Sequence, residues 1–92
     1  MSLSLDEYRT KIINYILHAK SNDEVSRFID TAINSLEHNR VNGHIIVRFV
    51  DRIIGEFDEF NPMNEDAQHW SNIRVAKILF KRIKIKLNES VN

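Results

Sequence analysis

The chain has 92 residues, its 13 Lys and Arg balance 13 Asp and Glu, and it contains no cysteine. Such a length is typical of one domain with a small hydrophobic core, and the lack of cysteine excludes disulfides, thiolate metal sites and cysteine nucleophiles. Because the formal net charge is zero, binding to nucleic acid would require a local basic patch. No apolar run approaches the roughly 18 residues of a membrane span, and the first residues lack the pattern of a signal peptide, so we expect a soluble cytoplasmic protein.

The first two predicted helices begin with the same capping motif. Ser4 with Glu7, and Ser21 with Glu24, match the S-x-x-E pattern, in which these side chains bind free backbone N–H groups of the first turn. Apolar residues at helical spacing follow both motifs. Those of the first helix that we expect to face the core are Leu5, Tyr8, Ile12, Tyr15, Ile16 and Ala19. The two helices are predicted at about residues 5–19 and 22–39.

The third predicted helix, at about residues 43–60, is the most apolar of the four. It follows a turn in which Asn42 and Gly43 tolerate positive φ. Its apolar residues cover more than half of the helical circumference, and they are Ile45, Ile46, Val47, Phe49, Val50, Ile53, Ile54, Phe57 and Phe60. So wide an apolar arc predicts that this helix is the central one of the fold.

The fourth predicted helix, at about residues 64–87, follows a break at Pro62. Asn64 is a favourable N-cap for it. The apolar residues at helical spacing along it are Ile73, Ala76, Phe80, Ile83 and Leu87. Four amphipathic helices joined by short connections predict an all-α fold, an antiparallel up-down four-helix bundle that forms a single domain over residues 1–92.

Two pairs of aliphatic residues lie off the main apolar stripes of the first and last helices. The first and last helices of an up-down bundle are neighbours, so these pairs could form one outward surface with a basic rim. The predicted partner-binding residues are Ile13, Leu17, Ile78, Ile85, Lys81 and Arg82. This interpretation predicts a non-catalytic protein–protein interaction or regulatory module that forms a homodimer. If the bundle is irregular, both aliphatic pairs lie inside it instead.

Basic residues cluster towards the end of the chain, where no acid occurs between Ala67 and Asn88. In an up-down bundle this end of helix 4 would lie beside the turn between helices 2 and 3 and form a basic pole. The alternative function is therefore nucleic-acid or anionic-ligand binding through Arg40, Arg48, Lys81, Arg82, Lys84 and Lys86. Helix-end electrostatics alone would produce the same clustering, since bases are favourable near helix C-termini.

Two acids end the third predicted helix, where the helix dipole disfavours negative charge. These acids, Asp58 and Glu59, are flanked by Phe57, Phe60 and Trp70 and could form an acidic, aromatic surface for a partner. Alternatively, the aromatic residues close the hairpin between helices 3 and 4 and the acids are merely solvated.

The sequence contains no motif of a catalytic or metal-binding site. The nearest approach to a helical metal site is the single pair Asp66 and His69 near a helix start, for which a structural surface role is expected. Two isolated glycines cannot build a phosphate-binding loop. We therefore expect no enzyme activity, no cofactor and no bound metal.

Overall fold

The computed structural model describes residues 4–60, 63 and 66–91, and these residues form four α-helices and no strand. The helices are α1 (Leu5–Leu17), α2 (Asn22–His38), α3 (Gly43–Asp58) and α4 (Ala67–Val91). The predicted all-α, four-helix fold is thereby confirmed.

Short polar side chains cap the helix starts. Ser4 accepts a hydrogen bond from the backbone N–H of Glu7 at 3.1 Å, and Ser21 accepts one from Glu24 at 3.2 Å, as the capping motifs predict. The start of α4 is capped by Asp66, whose carboxylate accepts a hydrogen bond from the N–H of His69 at 2.7 Å. The predicted cap at position 64 lies outside the described residues. Because Asp66 is the cap, α4 begins at Ala67, three residues later than predicted.

The end of α2 is a Schellman motif. The N–H of Val41 donates to the carbonyl of Leu36, and the N–H of Arg40 donates to that of Glu37, both at 3.0 Å. This geometry places Arg40 at φ 61°, in the left-handed region. The expectation that the adjacent Asn-Gly pair supplies the positive φ is therefore wrong, because this pair begins α3 while Arg40 occupies the position that glycine usually fills.

The other helix ends differ from the prediction by a few residues. Helix α1 ends at Leu17 because the chain turns at His18, and α3 ends at Asp58 because the following residues form tighter i→i−3 hydrogen bonds. In contrast, α4 continues to Val91, since no Gly or Pro follows Leu87 to interrupt it.

The core is apolar and draws on all four helices. Its largest fully buried apolar side chains are Phe57, Phe80, Ile16, Ile29, Ile46, Ile53, Ile73, Val25 and Val50. Among the described residues, α3 supplies the most buried side chains, while α4 packs most extensively on α3 and α2. The central role is therefore shared: α3 provides the broadest apolar face, and α4 makes the most extensive contacts with the other helices.

Ion pairs define the relative direction of α3 and α4. Lys84 pairs with Asp51 and Lys77 pairs with Asp58, so residue numbers rise along one helix as they fall along the other. These two helices are thus antiparallel. The packing departs from a regular square bundle, because α2 contacts α4 more extensively than it contacts α3. The up-down order of the whole bundle stays a prediction.

The buried polar residue Asn72 connects α4 to the end of α1 and the turn that follows it. The Asn72 side chain is fully buried and donates hydrogen bonds to the carbonyls of Ala19 at 2.9 Å and Leu17 at 3.3 Å. Its oxygen accepts a hydrogen bond from the Gln68 side chain at 2.9 Å. Asn72 thereby satisfies carbonyl groups that the end of α1 leaves without helical partners.

Candidate protein-binding surface

The α1 half of the predicted partner surface is not exposed. Ile13 is only 6% exposed and belongs to the core, and Leu17 is half-buried against it. The prediction that both side chains lie outside the packing of the bundle is therefore wrong. The reason is that α1 contacts α2, α3 and α4, so it buries the adjacent Ile12 and Ile13, which lie about 100° apart around the helix.

The α4 half of that surface is exposed. Ile78 is 53% exposed and Ile85 is 61% exposed, although both are large aliphatic side chains. They are separated by seven residues, so they lie within about 20° of each other on one side of the helix. The opposite side of α4 supplies Ile73, Ala76 and Phe80 to the core. These two isoleucines are therefore displayed on the outside of a helix that is anchored by its other face.

Basic side chains flank the two isoleucines. Arg74, Lys81 and Arg82 are exposed and lie three or four residues from Ile78 or Ile85, which places them on neighbouring rows of the same surface. We define the α4 outer face as Arg74, Ile78, Lys81, Arg82 and Ile85. It is an apolar stripe with a cationic border, and the acid nearest to it on α4 is Glu89, one turn beyond Ile85.

The cations of α4 have different surroundings on its two flanks. On the flank beside α3, Lys77 pairs with Asp58 and Lys84 pairs with Asp51. Arg74 and Arg82, which border the isoleucines, form no ion pair within the part of the chain that the structure describes. The acids of α3 thus compensate the lysines on one flank, and the positive charge that remains lies beside the exposed isoleucines.

The residues of the predicted basic pole face different neighbours. Lys84 forms an ion pair with Asp51, and Lys86 lines a shallow groove that also contains two acids. Arg48 lines a hollow between α1 and α3, and Arg40 lies in the turn after α2. The structure therefore shows no common site formed by these four cations, and anion binding by them stays a prediction.

The acids at the end of α3 belong to the hairpin between α3 and α4. The hydrogen bond from Lys77 lowers the pKa of Asp58; desolvation opposes this, and the charges of Lys77 and Lys81 add to it. Phe57 is buried and stacks edge-to-face with Phe60 at 5.9 Å, and Phe60 and Trp70 pack against the core. This arrangement supports the interpretation in which the aromatic residues close the hairpin, but Asp58 is ion-paired rather than merely solvated.

A groove between α1 and α2 is a feature that the sequence did not predict. Tyr15, which was expected to face the core, is 48% exposed and stacks on Phe28 of α2 at 5.2 Å. The hollow beside them has a volume of about 380 Å³. We call this hollow the α1–α2 groove, and its lining is Tyr8, Lys11, Ile12, Tyr15, Arg27, Phe28, Thr31 and Ala32. Helical periodicity placed Tyr15 on the apolar stripe, but periodicity does not show where two helices diverge.

Comparisons with known proteins found no match to this chain among protein-family models, curated proteins or solved structures. Among the described residues, none of the helices combines the length and apolar character needed to cross a membrane. The same residues contain no group of three or more His, Cys, Asp or Glu side chains arranged to hold a metal ion.

Proposed function

We propose that this chain is a non-catalytic protein-binding module and that its partner packs on the α4 outer face. The observation that supports the proposal is the pair of isoleucines, each more than half exposed, on the outside of the longest helix. Aliphatic side chains aligned on one helix face and bordered by charge are the pattern of a helix-binding surface. Burial of both isoleucines by a partner would contribute favourable free energy, since apolar area is removed from water.

The chemistry of this face favours a partner helix with acidic residues beside its apolar stripe. The α4 outer face contains two isoleucines and three cations, and Glu89 lies one turn beyond it. A partner carrying Asp or Glu on either side of an apolar row would match both features, and its charge would accelerate association. The opposite charges would also orient the partner helix along α4.

Self-association, the form predicted from the sequence, matches this face less well. The midpoint between the two isoleucines falls between Lys81 and Arg82. In an antiparallel two-fold pairing of α4 with a second α4, the symmetry axis would pass through this midpoint. Lys81 and Arg82 of both copies would then meet, and like charges directly opposed are unfavourable. The isolated protein is therefore proposed to be a monomer, whose mass light scattering would report, and a stable dimer would restore the homodimer hypothesis.

Nucleic-acid binding remains the second class of function. A phosphate backbone would match the cations of α4, but Lys77 and Lys84 are already paired with acids of α3. Binding to duplex DNA or RNA that weakens steeply as salt rises would support this alternative. No binding at low salt would exclude it.

Photo-crosslinking from the α4 outer face tests the protein-binding proposal directly. Ile78→p-benzoylphenylalanine in native cell extract should crosslink a second protein, and mass spectrometry should place the crosslink in a helical segment with acids beside apolar residues. The matched control is Ile45→p-benzoylphenylalanine, because Ile45 is a similarly exposed isoleucine on α3. Equal crosslinking of the same proteins from both positions, or none from position 78, would contradict the proposal.

A further inference from the structure

The α1–α2 groove has an apolar floor and aromatic walls. Ile12 and Ala32 are each 4% exposed and form its base. Tyr15 and Phe28 form one wall as a stacked pair with an interplanar angle of 27°, and Tyr8 stands half-buried near the other end. A volume of about 380 Å³ lies at the lower end of the range of about 300–1,000 Å³ that is typical of small-molecule sites. The groove is thus large enough for a small ligand with an apolar body.

Two cations, one from each helix, line this groove, and no acid lines it. The ammonium of Lys11 lies 5.8 Å from the centre of the Tyr15 ring. Arg27 is exposed and makes no ion pair in the described part of the chain. The groove therefore presents positive charge beside an apolar floor.

The cations remain available even though acids occur at pairing distance in the sequence. Glu7 precedes Lys11 by four residues and Asp23 precedes Arg27 by four, which is the favourable order for ion pairs along a helix. Neither pair forms in the structure, where Glu7 instead accepts a hydrogen bond from the Ser4 hydroxyl at 3.1 Å. Lys11 and Arg27 therefore line the groove without an acid partner on their own helices.

We infer that the α1–α2 groove binds a small amphipathic carboxylate, with its apolar body on the floor between the aromatic walls and its carboxylate beside Lys11 and Arg27. The apolar body gains from removal of its surface from water and from contact with Tyr15 and Phe28. The carboxylate gains charge-assisted hydrogen bonds, for which the guanidinium of Arg27 is well suited. Thr31 adds a neutral hydroxyl to the lining. This site is separate from the α4 outer face and does not depend on the function proposed for it.

Two carboxylates of different body type test the inference, each paired with its neutral alcohol. Decanoate represents an acyl chain and 2-naphthoate represents an aromatic body, while decanol and 2-naphthalenemethanol lack the charge. Titration of the isotope-labelled full chain, followed by amide chemical shifts, should show saturable shifts confined to α1 and α2 for at least one carboxylate. The matching alcohol should bind at least about 10-fold more weakly, because it lacks the interaction with the two cations. The carboxylate that binds shows whether the groove accepts an acyl chain or an aromatic ring system.

Variants of the groove complete the test. Lys11→Gln and Arg27→Gln should each weaken carboxylate binding about 10-fold and leave alcohol binding unchanged. Lys20→Gln, at an exposed position outside the groove, is the matched control and should bind as the natural chain does. Because all three side chains are exposed, circular dichroism should show the same fold for each variant. The inference is overturned if neither carboxylate shifts the groove at millimolar concentration, if the alcohols bind equally well, or if both Gln variants bind unchanged.

Discussion

At the scale of single residues, a few polar side chains determine how the helices end and join. Asn72 is the only polar residue that is buried in the described part of the chain, and each of its hydrogen bonds connects it to α1, its turn or its own helix. Helical spacing places Asn72 on the side of α4 that carries Ala76 and Phe80, but the sequence does not show which groups it would bond. Its role follows from the place where α4 crosses the end of α1.

Replacement of Asn72 by leucine tests this junction. Asn72→Leu keeps the branched shape in a larger side chain but removes the donor to the carbonyls of Leu17 and Ala19, so we expect a loss of about 1–3 kcal/mol of unfolding free energy. Urea denaturation measures the loss. Ser71→Ala is the control, because Ser71 makes only a long, exposed hydrogen bond of 3.4 Å, and it should change stability by less than about 0.5 kcal/mol. Equal stability of both variants would show that the Asn72 bonds contribute nothing.

Arg40 is a second residue whose conformation yields a prediction. Its φ of 61° costs about 1–2 kcal/mol for a residue with a side chain, whereas glycine adopts it freely. Glycine also makes the unfolded chain more flexible, so we expect a net stabilisation of about 0.5–1 kcal/mol for Arg40→Gly in urea denaturation. Arg40→Ala removes the same charge but keeps the backbone cost, and it should not stabilise the protein. Similar effects of the two changes would attribute the result to charge instead.

Asp58 links the ion pair of the hairpin to pH. Its pKa in the folded chain is lower than its ordinary value of 3.8, chiefly because of the hydrogen bond from Lys77. Such a carboxyl stabilises the fold above the unfolded pKa, and this stability is lost as the pH falls through the folded pKa. Between about pH 5 and about pH 2, the free energy of unfolding should therefore fall less for Asp58→Asn than for the natural chain. Lys77→Gln should flatten the same pH dependence, and parallel pH profiles for all three proteins would contradict this assignment.

At the scale of elements, the apolar pattern predicted which stretches are helical, and packing decided which side of each helix is covered. Helix α3 shows the difference, because its predicted apolar arc included both Ile53, which is fully buried, and Ile45, which is 43% exposed. Helix α1 shows the opposite case, because Ile13 was expected outside and is buried. The hydrophobic period identifies a helix, but which of its apolar residues are covered depends on where the neighbouring helices pack against it.

Two isoleucines of α3 provide a matched test of that difference. Ile53→Ala should lower the unfolding free energy by about 2–5 kcal/mol, because it removes buried methyl groups and leaves a cavity. Ile45→Ala makes the same chemical change at a half-exposed position and should cost less than about 1 kcal/mol. Denaturant titrations of both variants give the comparison. A small effect at position 53 would mean that α3 does not contribute to the core as described.

At the scale of the whole molecule, the buried core and the proposed partner surface lie on opposite faces of α4. The core residues of α4 face the other three helices, while the α4 outer face contributes little to the fold. The candidate site could be predicted only in part for this reason. Exposure of Ile78 and Ile85 was predicted correctly from their position off the main stripe, but the expected continuation of the surface onto α1 required an arrangement of α1 that the packing does not adopt.

A double substitution on the α4 outer face separates the two roles. Ile78→Glu combined with Ile85→Glu should leave thermal unfolding nearly unchanged, because both side chains are more than half exposed. The same double variant should lose the partner identified by crosslinking, because two carboxylates would replace the apolar stripe. Loss of helical structure by circular dichroism would show that the isoleucines belong to the fold, and retained partner binding would remove the α4 outer face as the site.

Capping side chains, helix breakers and apolar periodicity are local properties of the chain, so they were enough to predict the all-α fold, its four helices and the starts of the first three. The sequence did not determine that Asn72 joins α4 to α1, that Arg40 takes the left-handed position, or that Tyr15 opens into a groove beside Phe28. The junction at Asn72, the groove and the burial of Ile13 depend on how closely separate helices pack together, and the conformation of Arg40 depends on how the chain leaves α2, so none of them follows from helical periodicity.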